Sequence, residues 1–255
     1  MGVEFDPEAG VLRLGPGYFE TLLDIHRDLR ARETDPRLVG VLRDAGVLVA
    51  GGAHPALAPT LRVVLAERAR LRIQLAGPTG RLETSCWMFD EGAAWWDGDA
   101  GEGGTLTALR LDHVPARLAR LVGLGPRPDW STTQYAASVH TRRHVVDALL
   151  GGTPANRQEG ADMLAHRSPA ALAAVAADLR AGRWQAWHAE TVWYPPDRGP
   201  GEPRAGGRGL VVVDAPHGML TVDPEGGGLV FLPASPSQVW RRILRLLPPA
   251  SEIAS

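Results

Sequence analysis

The chain has 255 residues, of which 44% are hydrophobic and 22% are charged, a composition typical of a folded protein with a sizeable core. All 27 basic residues are arginine, which excludes mechanisms that need a lysine nucleophile or a phosphate-loop lysine. The formal net charge of −2 provides no basic excess for binding nucleic acid.

The first half of the chain predicts helices, then antiparallel strands, then one more helix. A short hairpin over 3–14 precedes helices predicted over 18–31, before Gly46, and over about 54–71. From Leu71 the apolar period changes to two, which predicts strands over 71–75, 81–89, 93–97 and 106–111. Pro115 suits the first turn of a helix that closes at Gly123.

The second half repeats this order after a connector over 124–132. Helices are predicted as far as Gly151, from Thr153 and from Ser168, the last of them ending at Gly182. Strands are predicted over 184–194, 210–213, 219–222 and 229–232, with a Pro/Gly/Arg-rich insert over 195–208. A final helix begins at Ser235 and Pro236.

The strand–proline–helix ending therefore occurs twice. When Pro115 is aligned with Pro236, apolar positions coincide: Leu109 with Val230, Leu111 with Leu232, Leu118 with Val239 and Val122 with Ile243. An internal duplication and a chance recurrence both explain this pattern. Under either explanation the sequence predicts an α+β fold with an N-terminal half, 1–128, and a C-terminal half, 129–255, in one continuous body.

The compartment follows from cysteine usage and from the absence of targeting signals. Cys86 is the single cysteine, so an internal disulfide and thiolate-rich metal sites are excluded. No secretory signal is visible, and no apolar run approaches the ~20 residues that span a bilayer. We expect a cytoplasmic protein that binds neither a membrane nor nucleic acid.

Catalytic motifs are largely missing. The sequence has no Gly-x-Ser-x-Gly elbow, no His-Glu-x-x-His helix and no dinucleotide fingerprint. Asp214 and His217 lie three residues apart in a turn before a strand, where they could form an acid–base pair. They are the first candidates for a hydrolase whose catalytic groups converge from separate strands. A turn-forming aspartate beside a surface histidine is the favoured interpretation. We expect no catalytic residue, no metal and no cofactor.

Tryptophans in the first predicted sheet mark a candidate binding surface. Trp95 and Trp96 are adjacent, so on a strand they point to opposite faces. Either helices cover both faces of the sheet, or one of the two side chains is exposed as a partner anchor. We predict partner contact at Trp87, Phe89, Trp95 and Trp96 and at the glycine-rich loop over 98–104.

Several segments of the second half resemble the EspG family of type VII (ESX) secretion chaperones of actinobacteria. They are Gly182-Arg183-Trp184-Gln185-Ala186, the insert, Val211-Val212-Val213-Asp214 with Gly218, Val230-Phe231-Leu232-Pro233, and Val239-Trp240-Arg241-Arg242. The first half fits the same layout more loosely, and the sequence departs from the family at Gly218-Met219-Leu220, where we expect a basic or aromatic residue after the glycine.

The resemblance implies two antiparallel β-sheets with flanking helical bundles, in halves related by a quasi-two-fold axis. It also implies a cytoplasmic, non-catalytic chaperone or adaptor that keeps a helical secreted protein soluble, such as a PE-PPE-like heterodimer, by covering its apolar tip. The alternative is the hydrolase-type enzyme with Asp214 and His217. The sequence does not predict the oligomeric state.

Overall fold

Short helices and antiparallel strands make up the secondary structure. The computed structural model describes residues 2–27, 35–50, 52–99, 103–194 and 206–249. The helices of these ranges are α1 (Tyr18–His26), α2 (Pro36–Asp44), α3 (Ala58–Leu65), α4 (Val114–Leu121), α5 (Thr132–Tyr135), α6 (Arg143–Leu150), α7 (Pro154–Arg167), α8 (Ala173–Arg180) and α9 (Pro236–Leu246). None of them is both long and apolar enough to cross a membrane.

Neighbouring strands in the sheets are antiparallel. They are β1 (Glu4–Asp6), β2 (Val11–Leu14), β3 (Leu48–Val49), β4 (Gly52–Ala53), β5 (Ala69–Ala76), β6 (Arg81–Phe89), β7 (Gly92–Asp99), β8 (Gly103–Arg110), β9 (Val139–Thr141), β10 (Gln185–Trp193), β11 (Gly206–Ala215), β12 (Gly218–Glu225) and β13 (Gly228–Ala234). Strands β3 and β4 form a small separate hairpin. The α+β class predicted from the sequence is confirmed.

The two predicted sheets are joined into one. Within the described ranges the large sheet has eleven strands in the order β1-β2-β8-β7-β6-β5-β10-β11-β12-β13-β9, and β5 pairs with β10 over their lengths. The prediction of a separate large sheet in each half is therefore corrected, because the strands of both halves belong to one sheet. Pairing β5 with β10 satisfies the backbone groups of what would otherwise be two exposed sheet edges.

Each half contributes four consecutive strands followed by a helix. Strands β5–β8 lead into α4, strands β10–β13 lead into α9, and the two helices contact each other on the same face of the sheet. This arrangement agrees with the quasi-two-fold layout. The boundary between residues 128 and 129 stays a prediction, and the 195–205 part of the insert lies outside the described residues.

Two predicted helices differ from the structure. The helix expected over about 54–71 is limited to α3, because β5 already begins at Ala69. The helical region expected after the connector is interrupted by β9, which pairs with β13. Local apolar spacing favoured a continuous helix there, but the β-branched Val139 and Thr141 are buried in the strand.

Both faces of the sheet are covered by helices, but differently. On one face α4 and α9 bury a core that includes Leu71, Trp95 and Trp187. On the opposite face α1–α3 cover the β2–β8–β7–β6 end, and α6–α8 cover the β11–β12–β13 end. The middle of this second face lies between the two helical groups and carries polar side chains.

Candidate partner-binding site

A trough runs across the middle of the second face of the sheet. It consists of two adjoining cavities of about 520 and 570 Å³, which share Gln74 of β5 and His188 of β10. We call the two together the central trough. Its floor belongs to strands of both halves, so the trough exists only because β5 and β10 are paired.

The alternation of β5 determines what faces the trough. Its sequence is Ala-Arg-Leu-Arg-Ile-Gln-Leu-Ala, so Leu71 and Ile73 are buried under α4 and α9 while Arg72 and Gln74 point the other way. On β10, His188 and Glu190 share the face of Gln74. No helix of the described ranges lies above them, and these polar side chains keep contact with solvent.

The N-terminal side of the trough is polar and rimmed by aromatic rings. Arg70 donates two hydrogen bonds of 2.7 and 2.6 Å to the buried carboxylate of Glu67, and its guanidinium lies 5.8 Å from the Trp87 ring centre. Glu83 accepts hydrogen bonds from Arg81 and from Gln74. The ion pair with the buried Glu67 carboxylate orients the Arg70 guanidinium along this wall.

The C-terminal side of the trough is mainly apolar. Six side chains line it, and we call them the apolar basin: Val146, Leu150, Val211, Val222, Pro224 and Leu229. Arg81, Arg143 and Asp147 stand at its rim. An apolar depression with a polar rim is the usual composition of a protein-binding surface.

His188 lies where the two sides meet. Burial is the main cause that lowers the pKa of His188. The negative charge of Glu190 raises this pKa in part, and the positive charge of Arg143 lowers it further. The imidazole is therefore neutral at neutral pH and adds no charge to the trough. Gly209 of β11 lies against the ring, and a Cβ at that position would stand 3.5 Å from His188 Nε2.

The predicted tryptophans are buried. Trp95 is fully buried under α4 and donates to Asp97 Oδ1 at 2.6 Å, while Trp96 packs on the opposite face against Phe19, with ring centres 4.6 Å apart. Of the two alternatives predicted for this pair, the structure shows the one in which helices cover both faces of the sheet, and neither tryptophan is exposed. Partner contact by these residues stays a prediction.

Of the four predicted contact residues, two reach the rim of the central trough and one faces another groove. Trp87 and Trp96 line the N-terminal side of the trough, although both are almost wholly buried. Phe89 lines a groove of about 790 Å³ beside α3, where Arg62 lies 5.4 Å from its ring centre. The predicted loop includes residues 100–102, which lie outside the described residues.

The structure does not bring Asp214 and His217 together. Asp214 accepts hydrogen bonds of 2.8 and 2.5 Å from Arg127 and one of 3.2 Å from Gln185. His217 Nδ1 lies 2.8 Å from the buried carboxylate of Asp178. The acid–base pair of the alternative hydrolase is therefore not formed, because each member is held by another partner.

Asp178 is the centre of a separate structural cluster. Arg183 donates to its Oδ1 at 2.6 Å, and the backbone N–H of His217 donates to Oδ2 at 3.0 Å. Burial raises the pKa of Asp178, but the hydrogen bonds from Arg183 and His217 outweigh it and the net shift is downward. Among the described residues, no group of three or more His, Cys, Asp or Glu could hold a metal ion.

The apolar basin and the shared floor were not predicted from the sequence. Val211 and Val222 were recognised as strand residues, but only the β11–β12 register places them opposite each other. The one available signal was the alternation of arginine and glutamine with apolar residues in β5, which marks a sheet face without helical cover.

Comparison with known proteins establishes the fold. No protein-family model matches the chain, and no curated protein matches it. A solved structure, the Mycobacterium tuberculosis type VII secretion system chaperone EspG5 in complex with PE25-PPE41 dimer, is similar with a TM-score of 0.59. The match covers 93% of this chain and 97% of that chain at 16% sequence identity. The resemblance to EspG is thus confirmed at the level of the fold.

Proposed function

We propose that this protein is a non-catalytic cytoplasmic chaperone that binds a helical type VII secretion substrate of the PE-PPE kind and keeps it soluble. The EspG5 structure with the similar fold holds a PE25-PPE41 dimer. The observation that carries the proposal is the central trough, a strip of sheet that no described helix covers, with the apolar basin at one side.

The geometry suits a helical tip better than a small molecule. Both cavities of the trough are open to solvent, and together they extend across strands of both halves. The apolar basin would take the apolar side chains at the end of a helical pair. The polar side chains that line the other side, among them Arg72, Glu83 and Glu190, would contact its polar flank. Such a surface lowers the free energy of a soluble complex by removing apolar area from water.

Binding to PE-PPE-like heterodimers encoded in the same genome tests the proposal. The full chain and each heterodimer are purified, and association is measured by size-exclusion chromatography and calorimetry. We expect a stable complex with at least one heterodimer, and more soluble heterodimer when the two are produced together. Failure of all the heterodimers to associate with folded protein would contradict the proposal.

A pair of variants locates the surface. Val222→Asp places a charge in the apolar basin and is expected to weaken binding about thirtyfold or more, as for a central interface residue. Leu244→Asp is the matched control, since Leu244 is 48% exposed on α9 and lies outside the trough. Equal binding by both variants, with unchanged thermal stability, would exclude the trough.

A further inference from the structure

A second site candidate is a pocket of about 430 Å³ formed by β11, β12 and α9. Three arginines line it, Arg208 from β11 and Arg242 and Arg245 from α9. Among the described residues, Asp223 of β12 is the single carboxylate in its lining. We call this cavity the arginine pocket. It shares Gly209 with the central trough, but its arginines are not part of the trough lining.

The arginine pocket carries an excess of positive charge. The described lining residues supply three guanidinium groups and one carboxylate, and the C-terminal end of α9 adds a partial negative charge equivalent to about half an electron charge. The sum stays positive by more than one unit. Arg245 has no ion pair with any residue in the described part of the chain.

Two of the guanidinium groups are held in place before any ligand arrives. Arg242 donates hydrogen bonds of 2.6 and 2.9 Å to the two carboxylate oxygens of Asp223. These hydrogen bonds are the main cause that raises the pKa of Arg242. Arg208 donates to the carbonyl oxygens of Arg245 and Leu247 at 2.8 and 3.1 Å.

The Arg208 guanidinium carbon also lies over the Trp193 ring, 5.2 Å from the ring centre. Ordered arginines lose less conformational entropy when they bind an anion. Because Arg208 already occupies two carbonyl groups at the end of α9, the negative end of this helix is partly neutralised.

We propose that the arginine pocket binds a phosphate dianion. Guanidinium groups match the oxygens of phosphate with paired hydrogen bonds, and convergent arginines from two elements provide donors from different directions. Arg245 supplies a charge that no carboxylate of the described chain neutralises, and its donors are available to the ligand. The inference does not depend on partner binding at the central trough.

Calorimetric titration of the full chain with inorganic phosphate tests the proposal, with sodium chloride adjusted to hold the ionic strength constant. We expect saturable binding with one site per chain. Arg245→Gln removes a guanidinium that makes no hydrogen bond within the described chain, and it should raise the Kd about tenfold without loss of thermal stability.

Arg241→Gln is the matched control. Arg241 lies on the same helix and is exposed, donates to Ser237 O and does not line the pocket, yet its loss changes the net charge equally. Binding unchanged in Arg241→Gln and weakened in Arg245→Gln supports the pocket. Equal weakening in both variants, or no saturable binding by the wild-type chain, overturns it. Glycerol 3-phosphate distinguishes the sources: a lower Kd than that of inorganic phosphate indicates a site for an esterified phosphate, and a higher Kd indicates a site for the free ion.

Discussion

Leu71 of β5 lies opposite Thr191 of β10 where the strands of the two halves pair. Both side chains are fully buried, on the face that α4 and α9 cover. The register continues without interruption from Ala69 opposite Trp193 to Ala76 opposite Ala186. The two halves therefore share one hydrogen-bonded sheet and one core.

This shared core predicts cooperative unfolding. Leu71→Ala should lower the free energy of unfolding by about 2–5 kcal/mol, because it leaves a cavity among buried side chains. Chemical denaturation followed by circular dichroism and tryptophan fluorescence should show one coincident transition. Leu82→Ala, at a position 37% exposed, is the control and should change stability by less than about 0.5 kcal/mol. Two separate transitions, only one of them shifted by Leu71→Ala, would contradict the shared core.

Gly218 allows the connector to pack on the C-terminal half. Its φ is +155°, and a Cβ there would lie 2.1 Å from Cζ2 of Trp130, whose indole N–H donates to Ala234 O. Gly218→Ala should cost about 1–3 kcal/mol from overpacking, in addition to backbone strain. Gly226→Ala is the control, because Gly226 has a φ of +52° and a Cβ there would meet open space. This variant should lose only the backbone strain, about 1–2 kcal/mol. Thermal denaturation compares the two; an equal loss would mean that Trp130 moves aside freely.

The Asp178 cluster predicts a dependence of stability on pH. Because the net pKa shift of Asp178 is downward, its carboxylate stabilises the fold at pH values above the ordinary aspartate pKa. This stabilisation is lost as the pH falls through the lowered pKa of the folded state. Asp178→Asn should therefore be less stable than the wild type by about 1–3 kcal/mol at pH 7. The difference should narrow in acid.

Urea denaturation of both proteins at several pH values measures this difference. A gap between wild type and Asp178→Asn that stays constant down to acid pH would show that the effect of the substitution is not electrostatic. Asp147→Asn serves as the control for loss of one carboxylate, since the Asp147 side chain is 63% exposed and its distance to Arg143 is 3.8 Å. Such an exposed pair contributes at most about 1 kcal/mol.

Cys86 is expected to be unreactive in the folded protein. The side chain is fully buried in the core under α4 and α9, and burial raises the pKa of its thiol. The thiolate is the species that reacts with disulfide reagents, so both its formation and its access are suppressed. A colorimetric thiol assay should detect no fast-reacting thiol in buffer and one per chain in denaturant. Fast reaction in buffer would indicate that this part of the core opens.

Much of the local structure could be predicted because its causes are local. Ser235 accepts from the N–H of Gln238 and Pro236 stands at the first turn of α9, as the sequence signals indicate. The predicted strand period at Leu71 and Ile73 is that of β5. For β9 the local pattern was misleading, since a three-residue edge strand depends on β13 beside it.

The α+β class and the order of strands and closing helices in each half could be predicted from the sequence alone, which also excludes lysine chemistry and disulfides within the chain. These properties depend on composition and on neighbours a few residues apart. Three features became visible only in the folded chain: β5 joins β10, both Trp95 and Trp96 are covered, and Asp214 binds Arg127 rather than His217. Such contacts connect residues far apart in the chain. They depend on strand register and helix packing, which no local period specifies.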